Sequence, residues 1–308
     1  MSSNKITGLV AAPLAPFDQN GNLNTQILLS YTELLLANNV IGVYVNGTSG
    51  EGSLLCVEER KAIAQGWIEA SHGRFQQIII QVGTDNLKDT MTLATHAENI
   101  GATGIAVLPP VYNAPASPDA VATYLEQVSS AAPNTPLFYY HIPAWSGITF
   151  PLEDILEASS HRVPTLAGAK CTSSDLSDYC RCLRLHGGNN IDLLFDVQML
   201  LGALAMGAQG FVGISFNYAS SCLNRMIKSF NSGDVQTARE EQARVQDLFR
   251  VISKHGSDAF NIGVHKALMR LRGLELGQPR LPNTALTESQ VAGLNRDLEE
   301  MGFLEWCK

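Results

Sequence analysis

The sequence predicts a (β/α)8 barrel, an α/β TIM barrel, followed by a C-terminal helical extension. Three observations carry that prediction. Eight short β-rich runs alternate with longer amphipathic stretches through the first two thirds of the chain. Runs such as Ile78-Ile79-Ile80 and Ile105-Ala106-Val107-Leu108 are apolar throughout, as expected of parallel strands covered on both faces. Beyond Asn217 the pattern turns helical.

The first strand candidate, residues 6–13, follows Met1 to Lys5 directly, with no apolar leader of the secretory type. Strand candidates then recur at 42–45, 77–83, 104–108, 136–141, 165–170, 191–195 and 210–215. Between them, residues 25–37, 57–71, 90–100, 117–130, 174–184 and 199–207 place apolar side chains at helical spacing. Strand–helix alternation favours a parallel sheet, and eight such units favour closure over an open doubly wound sheet. The later helical stretches are 222–231, 234–254, 258–272 and 288–301, interrupted by a loop at Pro279 and Pro282. No low-complexity segment or linker divides them from the rest. Residues 1–220 therefore read as the catalytic barrel, and 221–308 as the last barrel helix plus an extension packed on it.

Composition narrows the function. A chain of 308 residues, 45% hydrophobic, can bury a sizeable core. A net charge of −8 and a pI near 5.4 argue against nucleic acid or an anionic membrane as partner, and the Lys and Arg residues form no basic block. No stretch approaches the roughly 18 apolar residues that span a bilayer. The six cysteines (Cys56, Cys171, Cys180, Cys182, Cys222 and Cys307) are scattered rather than spaced as a disulfide framework. Cys180-Arg181-Cys182 lacks a second pair for zinc, so the expectation is reduced thiols in a cytoplasmic protein with neither metal nor cofactor. Cys171 beside Lys170 reads as a small packed residue, because no histidine motif nearby would activate it.

In barrels of this kind chemistry collects at the C-terminal ends of the strands. Lys170 closes an apolar strand there. Lost hydration favours its neutral amine, a nucleophile toward carbonyls whose product is a Schiff base. Tyr140 ends the preceding strand, and neighbouring strands lie about 4.8 Å apart, which brings its phenol within reach of the lysine nitrogen or a substrate carbonyl. Such a tyrosine can shuttle a proton. Tyr139 should point the opposite way, and His141 reads as a packed or hydrogen-bonded histidine rather than a base.

After the second strand, Gly47-Thr48-Ser49-Gly50-Glu51-Gly52 reads either as a carboxylate cradle of bared N–H groups and hydroxyls or as a plain βα turn. Glu51 reads as a carboxylate at a helix start stabilising exposed N–H groups, more than as a base. Tyr112, after the fourth strand, reads equally as functional or as interface packing.

Together these residues resemble the dihydrodipicolinate synthase/N-acetylneuraminate lyase family. The motifs are Gly47-Thr48-Ser49-Gly50-Glu51, Tyr112, Tyr140 with Ile142-Pro143-Ala144 and Gly147, and Gly168-Ala169-Lys170 with Thr172-Ser173-Ser174-Asp175. The opening segment with Pro16-Phe17-Asp18 and the helix at 263–273 fit the same pattern, so the resemblance covers nearly the whole chain. Within the family, the run from Tyr139 to Ala144 is most similar to animal N-acetylneuraminate lyases.

The resemblance implies a pyruvate-type class I aldolase that cleaves N-acetylneuraminate to N-acetylmannosamine and pyruvate. By it, Lys170 forms the Schiff base and Tyr140 takes the proton from the C4 hydroxyl. Thr48 and Ser49 hold the keto-acid carboxylate, and Thr48 and Tyr112 join Tyr140 in a hydroxyl relay. Tyr112 arrives across a subunit interface of a homotetramer, and Thr172 contacts the sugar.

One stretch departs from the pattern. The family's acidic pair for the polyol tail falls on Val197 and Gln198, with Asp196 one residue away, and its serine falls on Ile214, followed by Ser215. Lost carboxylates remove hydroxyl acceptors. A different 2-keto-3-deoxy acid is therefore the alternative substrate, and an inactive barrel serving as a binding protein is the alternative of another class. Dihydrodipicolinate synthesis fits less well, because Trp145-Ser146-Gly147-Ile148 offers no basic residue for a second carboxylate.

Overall fold

The computed structural model describes residues 5–185, 191–256 and 258–307. Residues 1–4, read above as free of an apolar leader, and the last residue of the extension lie outside these. Eight parallel strands close into a barrel in sequence order. They are β1 (Gly8–Ala11), β2 (Gly42–Val45), β3 (Gln77–Gln81), β4 (Gly104–Val107), β5 (Leu137–His141), β6 (Leu166–Cys171), β7 (Asp192–Phe195) and β8 (Gly210–Gly213). Closure runs through β8 and β1, with Gly8 opposite Gly210 and Ala11 opposite Gly213. The expected (β/α)8 barrel is the fold observed.

The period of two along each strand sorts side chains into two cores. Val10, Tyr44, Ile79, Ala106, Phe138, Tyr140, Leu194 and Val212 fill the lumen. Leu9, Val43, Ile78, Ile80, Ile105, Tyr139, Cys171 and Phe195 face the surrounding helices. Burying each valine or leucine of these sets contributes about 1.5–3 kcal/mol, so the lumen is a packed core and not a pore.

The barrel helices are α1 (Leu28–Ala37), α2 (Val57–Ser71), α3 (Leu87–Asn99), α4 (Pro118–Ala131), the short α5 (Pro143–Ser146), α6 (Leu152–Ser160), α7 (Leu176–Cys182), α8 (Leu200–Met206) and α9 (Ser220–Asn231). The extension adds α10 (Val235–Gly256), α11 (Ile262–Leu271), α12 (Glu288–Glu300) and α13 (Phe303–Trp306).

Two differences from the sequence reading have local causes. Helix α3 starts at Leu87 rather than 90, because the Asn86 side chain accepts from the Lys88 and Asp89 N–H groups and caps it there. Helix α6, absent from that reading, is only nine residues long; it follows Pro151 and buries Leu152, Ile155, Leu156 and Ser159.

Extension residues Val245, Leu248, Ile252, Leu268, Met269, Leu294 and Phe303 belong to the same apolar cluster as the barrel helices. Among the described residues no helix is long and apolar enough to cross a membrane.

Candidate active site

Lys170 lies near the C-terminal end of β6, 5% exposed, directly opposite Tyr140 of β5 in the parallel ladder. Equal register sends both side chains to the lumen. The Lys170 amine sits 4.2 Å from the Tyr140 ring centroid and 4.4 Å from that of Tyr44 on β2, across the barrel. The two rings meet edge to face, with centroids 5.7 Å apart.

The amine thus rests on the Tyr140 ring face, whereas the sequence reading leaves the phenol hydroxyl within reach of either the lysine nitrogen or a substrate carbonyl. That hydroxyl instead shares a hydrogen bond of 3.2 Å with Thr48 Oγ1. A buried amine held between two aromatic faces and beside a paired phenol has the parts for carbonyl attack and proton transfer.

Tyr44 escaped the sequence reading because a tyrosine in an apolar strand reads as packing. Its hydroxyl is buried without a hydrogen-bond partner among the described residues, and burial pushes it well above the ordinary phenol range, with Tyr140 adding to the shift. It therefore stays protonated near neutrality. Tyr139 faces outward as expected.

The Thr48 turn is built by backbone geometry. Asn46 and Glu51 both take positive φ, 61° and 52°, and the Glu51 and Gly52 N–H groups donate back to the Thr48 and Gly47 carbonyls. The Asn46 side chain donates to the Arg60 carbonyl and ties the turn to α2. A Cβ on Gly52 would lie 1.9 Å from the Asn46 carbonyl oxygen. Gly52→Ala should therefore lower stability by about 3 kcal/mol or more, measurable by urea unfolding. Ser49, 9% exposed, sits beside Thr48 in the same turn.

Glu51 corrects the sequence reading. Its side chain makes no cap bond to the short helical turn that follows. The left-handed backbone turns the carboxylate toward the extension, where it accepts from the Arg280 N–H at 2.8 Å and Asn283 Nδ2 at 3.1 Å, and pairs with Lys266 Nζ at 3.0 Å.

On the β7 side, Asp196 follows lumen-facing Leu194 by two residues and is 8% exposed. Burial raises its carboxyl above the ordinary value, and the Lys170 charge opposes that shift, which places the two groups in one electrostatic neighbourhood. Asp196 Oδ1 accepts from the Val197 N–H at 2.6 Å. Val197 and Ile214 are buried in the outer apolar cluster. Gln198 is half-buried and turns its carbonyl to Gln246 of α10 at 2.6 Å.

Thr172 donates its N–H to the His141 carbonyl, and its hydroxyl, like that of fully buried Ser215, has no partner among the described residues. Tyr112 is 89% exposed and stands apart from the lysine in a single chain. Geometry thus gathers Lys170, Tyr140, Thr48, Tyr44 and Asp196. It leaves Tyr112 and the Gln198 carbonyl outside that group.

A cavity of about 690 Å³ opens beside this centre on the β2–β4 side, walled by Thr48, Arg60, Asp85, Trp145, Phe260 and Asn283 among others. Thr48 and Ile142 border it, but Lys170 does not.

Cys171 packs outward, and burial pushes its thiol far above the range in which it could ionise. His141 is 3% exposed, packs on Tyr139 at 5.9 Å and has an Nδ1 with no partner among the described residues. Burial holds it down to about 4, against an ordinary value near 6.5. The unfolded chain therefore takes up this proton first as pH falls. The stability carried by neutral His141 is complete above about pH 6.5 and declines from there toward about 4, by on the order of 3 kcal/mol. Urea unfolding at pH 7 and pH 5 should show the loss, and His141→Gln should lessen it.

Comparison with known proteins agrees with this geometry. Residues 5–301 match the model of the dihydrodipicolinate synthetase family. Mouse N-acetylneuraminate lyase is 36% identical over 303 residues, covering 97% of this chain and 94% of that protein. The structure of Proteus mirabilis N-acetylneuraminate lyase superposes with a TM-score of 0.92 at 34% identity, over 97% of this chain and 100% of the other. A catalytic lysine mutant of Ruminococcus gnavus sialic acid aldolase superposes with a TM-score of 0.89 at 26% identity, over 98% of each chain. A match across nearly the full length, on a barrel with a buried lysine at the end of its sixth strand, establishes that the chain belongs to the dihydrodipicolinate synthetase family.

Proposed function

We propose that this protein is a class I aldolase, a carbon–carbon lyase that cleaves N-acetylneuraminate to N-acetylmannosamine and pyruvate. The observation that carries the reading is the Lys170 amine resting against Tyr140, whose hydroxyl is bonded to Thr48. Full-length similarity to N-acetylneuraminate lyases supports the same activity.

In this reading Lys170 adds to the C2 carbonyl of the sugar acid and water leaves, the Tyr140 hydroxyl giving up the proton that makes the imine cationic and so becoming the phenolate base of the next step. Tyr140 removes the C4 hydroxyl proton, the C3–C4 bond breaks, and its electrons move into the imine as an enamine. N-acetylmannosamine leaves as the aldehyde. Protonation at C3 and hydrolysis then release pyruvate and free the lysine. Thr48 and Ser49 hold the carboxylate, while Asp196, Thr172, Ser215 and Gln198 face the remainder of the substrate. The reaction asks for no metal or organic cofactor, since the imine is the electron sink.

Exposed Tyr112 fits a residue handed to a neighbouring subunit's Tyr140, so the assembly is a homotetramer in this reading, with the barrel at 1–220 and the extension at 221–308 as one unit. The absence of basic blocks and the scattered cysteines suit a cytoplasmic enzyme of small sugar acids.

A second reading follows from Val197 and Ile214. Both are buried in the outer apolar cluster at the positions where the family pattern carries its tail-binding groups, leaving Asp196 as the carboxylate beside the lysine. That arrangement favours a 2-keto-3-deoxy acid with fewer tail hydroxyls.

Intact mass after incubation with N-acetylneuraminate and borohydride separates the readings. A pyruvate-sized adduct on Lys170 supports the lyase. Labelling by free pyruvate but not by N-acetylneuraminate supports the second substrate class. No adduct with either compound would sink the aldolase and leave a binding protein.

A further inference from the structure

We infer that the buried Glu51–Lys266 pair is a positioning device, through which the C-terminal extension holds the Thr48 turn against Tyr140. This rests on the aldolase reading of Lys170 and Tyr140.

Glu51 and Lys266 have side-chain exposures of 0% and 3%, and their charges lie 3.0 Å apart. A buried carboxylate would be costly without that partner. The pair joins elements 215 residues apart in sequence, a turn after β2 and helix α11. Lys266 also donates to the Gln278 carbonyl at 3.1 Å and lies 4.3 Å above the Phe17 ring. Burial lowers the Lys266 ammonium below its ordinary value, and Glu51 opposes that shift.

The neighbouring extension segment locks the same turn from outside. The Arg280 N–H and Asn283 Nδ2 share the second Glu51 oxygen. The Arg280 side chain donates to the Leu54 carbonyl and to Glu59 of α2. Phe17, after β1, donates its N–H to the Leu276 carbonyl. Segment 276–283 therefore clasps the loops after β1 and β2 together.

Only two residues separate Thr48 from Glu51, and the Glu51 N–H donates to the Thr48 carbonyl at 3.1 Å. Rotation at Glu51 would swing the Thr48 hydroxyl away from Tyr140, a misplacement of the kind that costs catalysis while the fold survives. A pair serving stability alone would have no reason to sit on the hinge of the cradle.

The test uses full-length protein carrying E51Q, K266M and both together. The neutral double variant removes both charges without leaving either one buried alone, and it keeps the fold assayable if a single change does not. Expected for the double variant, well below its unfolding temperature, are pyruvate release from N-acetylneuraminate reduced about a hundredfold in kcat/KM and weaker pyruvate trapping. In a Thr48→Ala background the same double change should have little further effect, since both act through one hydroxyl.

Unchanged kcat/KM with a lowered Tm would overturn the positioning role, and so would full additivity with Thr48→Ala. Failure of the parent protein to form any borohydride-trapped pyruvate adduct would instead overturn the aldolase reading on which the role depends.

Discussion

Lys170→Ala is expected to lose the borohydride-trapped pyruvate adduct completely and to release pyruvate from substrate about 10⁴-fold more slowly than the parent, or worse. Lys266, the other buried lysine among the described residues, is committed to Glu51 at 3.0 Å, and its amine lies against Phe17 instead. The substitution empties space between the Tyr44 and Tyr140 rings without uncovering a buried carboxylate in direct contact, so the barrel should still fold. Intact mass with peptide mapping, alongside a coupled assay for pyruvate, checks both parts. An adduct that persists in the alanine variant would move the Schiff base to another residue.

Tyr140→Phe should separate imine formation from cleavage. The ring remains to pack against Tyr44 and beneath the lysine amine, while the hydroxyl bonded to Thr48 is lost. Pyruvate should still be trapped on Lys170. Turnover of the sugar acid should drop by about 10²–10⁴-fold, the usual range for removing a positioned general acid–base group. Steady-state kcat measured beside trapping yield tests this directly. A phenylalanine variant within tenfold of the parent would assign the C4 proton to a different group, and Asp196, which feels the Lys170 charge, would be examined by Asp196→Asn.

The two carboxyl-end loops were unequally legible. Lys170 and Tyr140 stood out because each ends an apolar strand, and a period of two then sends both to the same face. Their opposition in the ladder follows from β5 and β6 being neighbours in a barrel built in sequence order. Asp196 was harder to place. Two readings of the register after β7 differed by one residue, and a slip of one exchanges inward and outward faces. Pairing of Lys170 with Leu194 and of Cys171 with Phe195 puts Asp196 on the lysine side and Val197 among the outer apolar residues.

Tyr44 and the Glu51–Lys266 pair show what local pattern could not carry. Tyr44 occupies a strand position where any large apolar residue would serve packing, and only the closure of eight strands brings its ring to within 4.4 Å of a lysine amine on the opposite wall. Glu51, at the start of a helical turn, carried the local signature of a residue that stabilises free N–H groups. Its left-handed backbone, φ 52°, sends the carboxylate elsewhere, to a lysine more than two hundred residues later.

By itself, then, the amino-acid order determined the barrel, the lysine and tyrosine at its mouth and the glycine-bounded turn. All of these follow from periodicity, strand ends and short-range backbone chemistry. The tertiary structure alone decided that Lys170 lies on the Tyr140 ring with the phenol turned to Thr48, that Asp196 rather than Val197 shares the lysine's neighbourhood, and that the extension grips the Thr48 turn. Those contacts join residues far apart in the chain, and their energies depend on burial, which exists only once the core has closed.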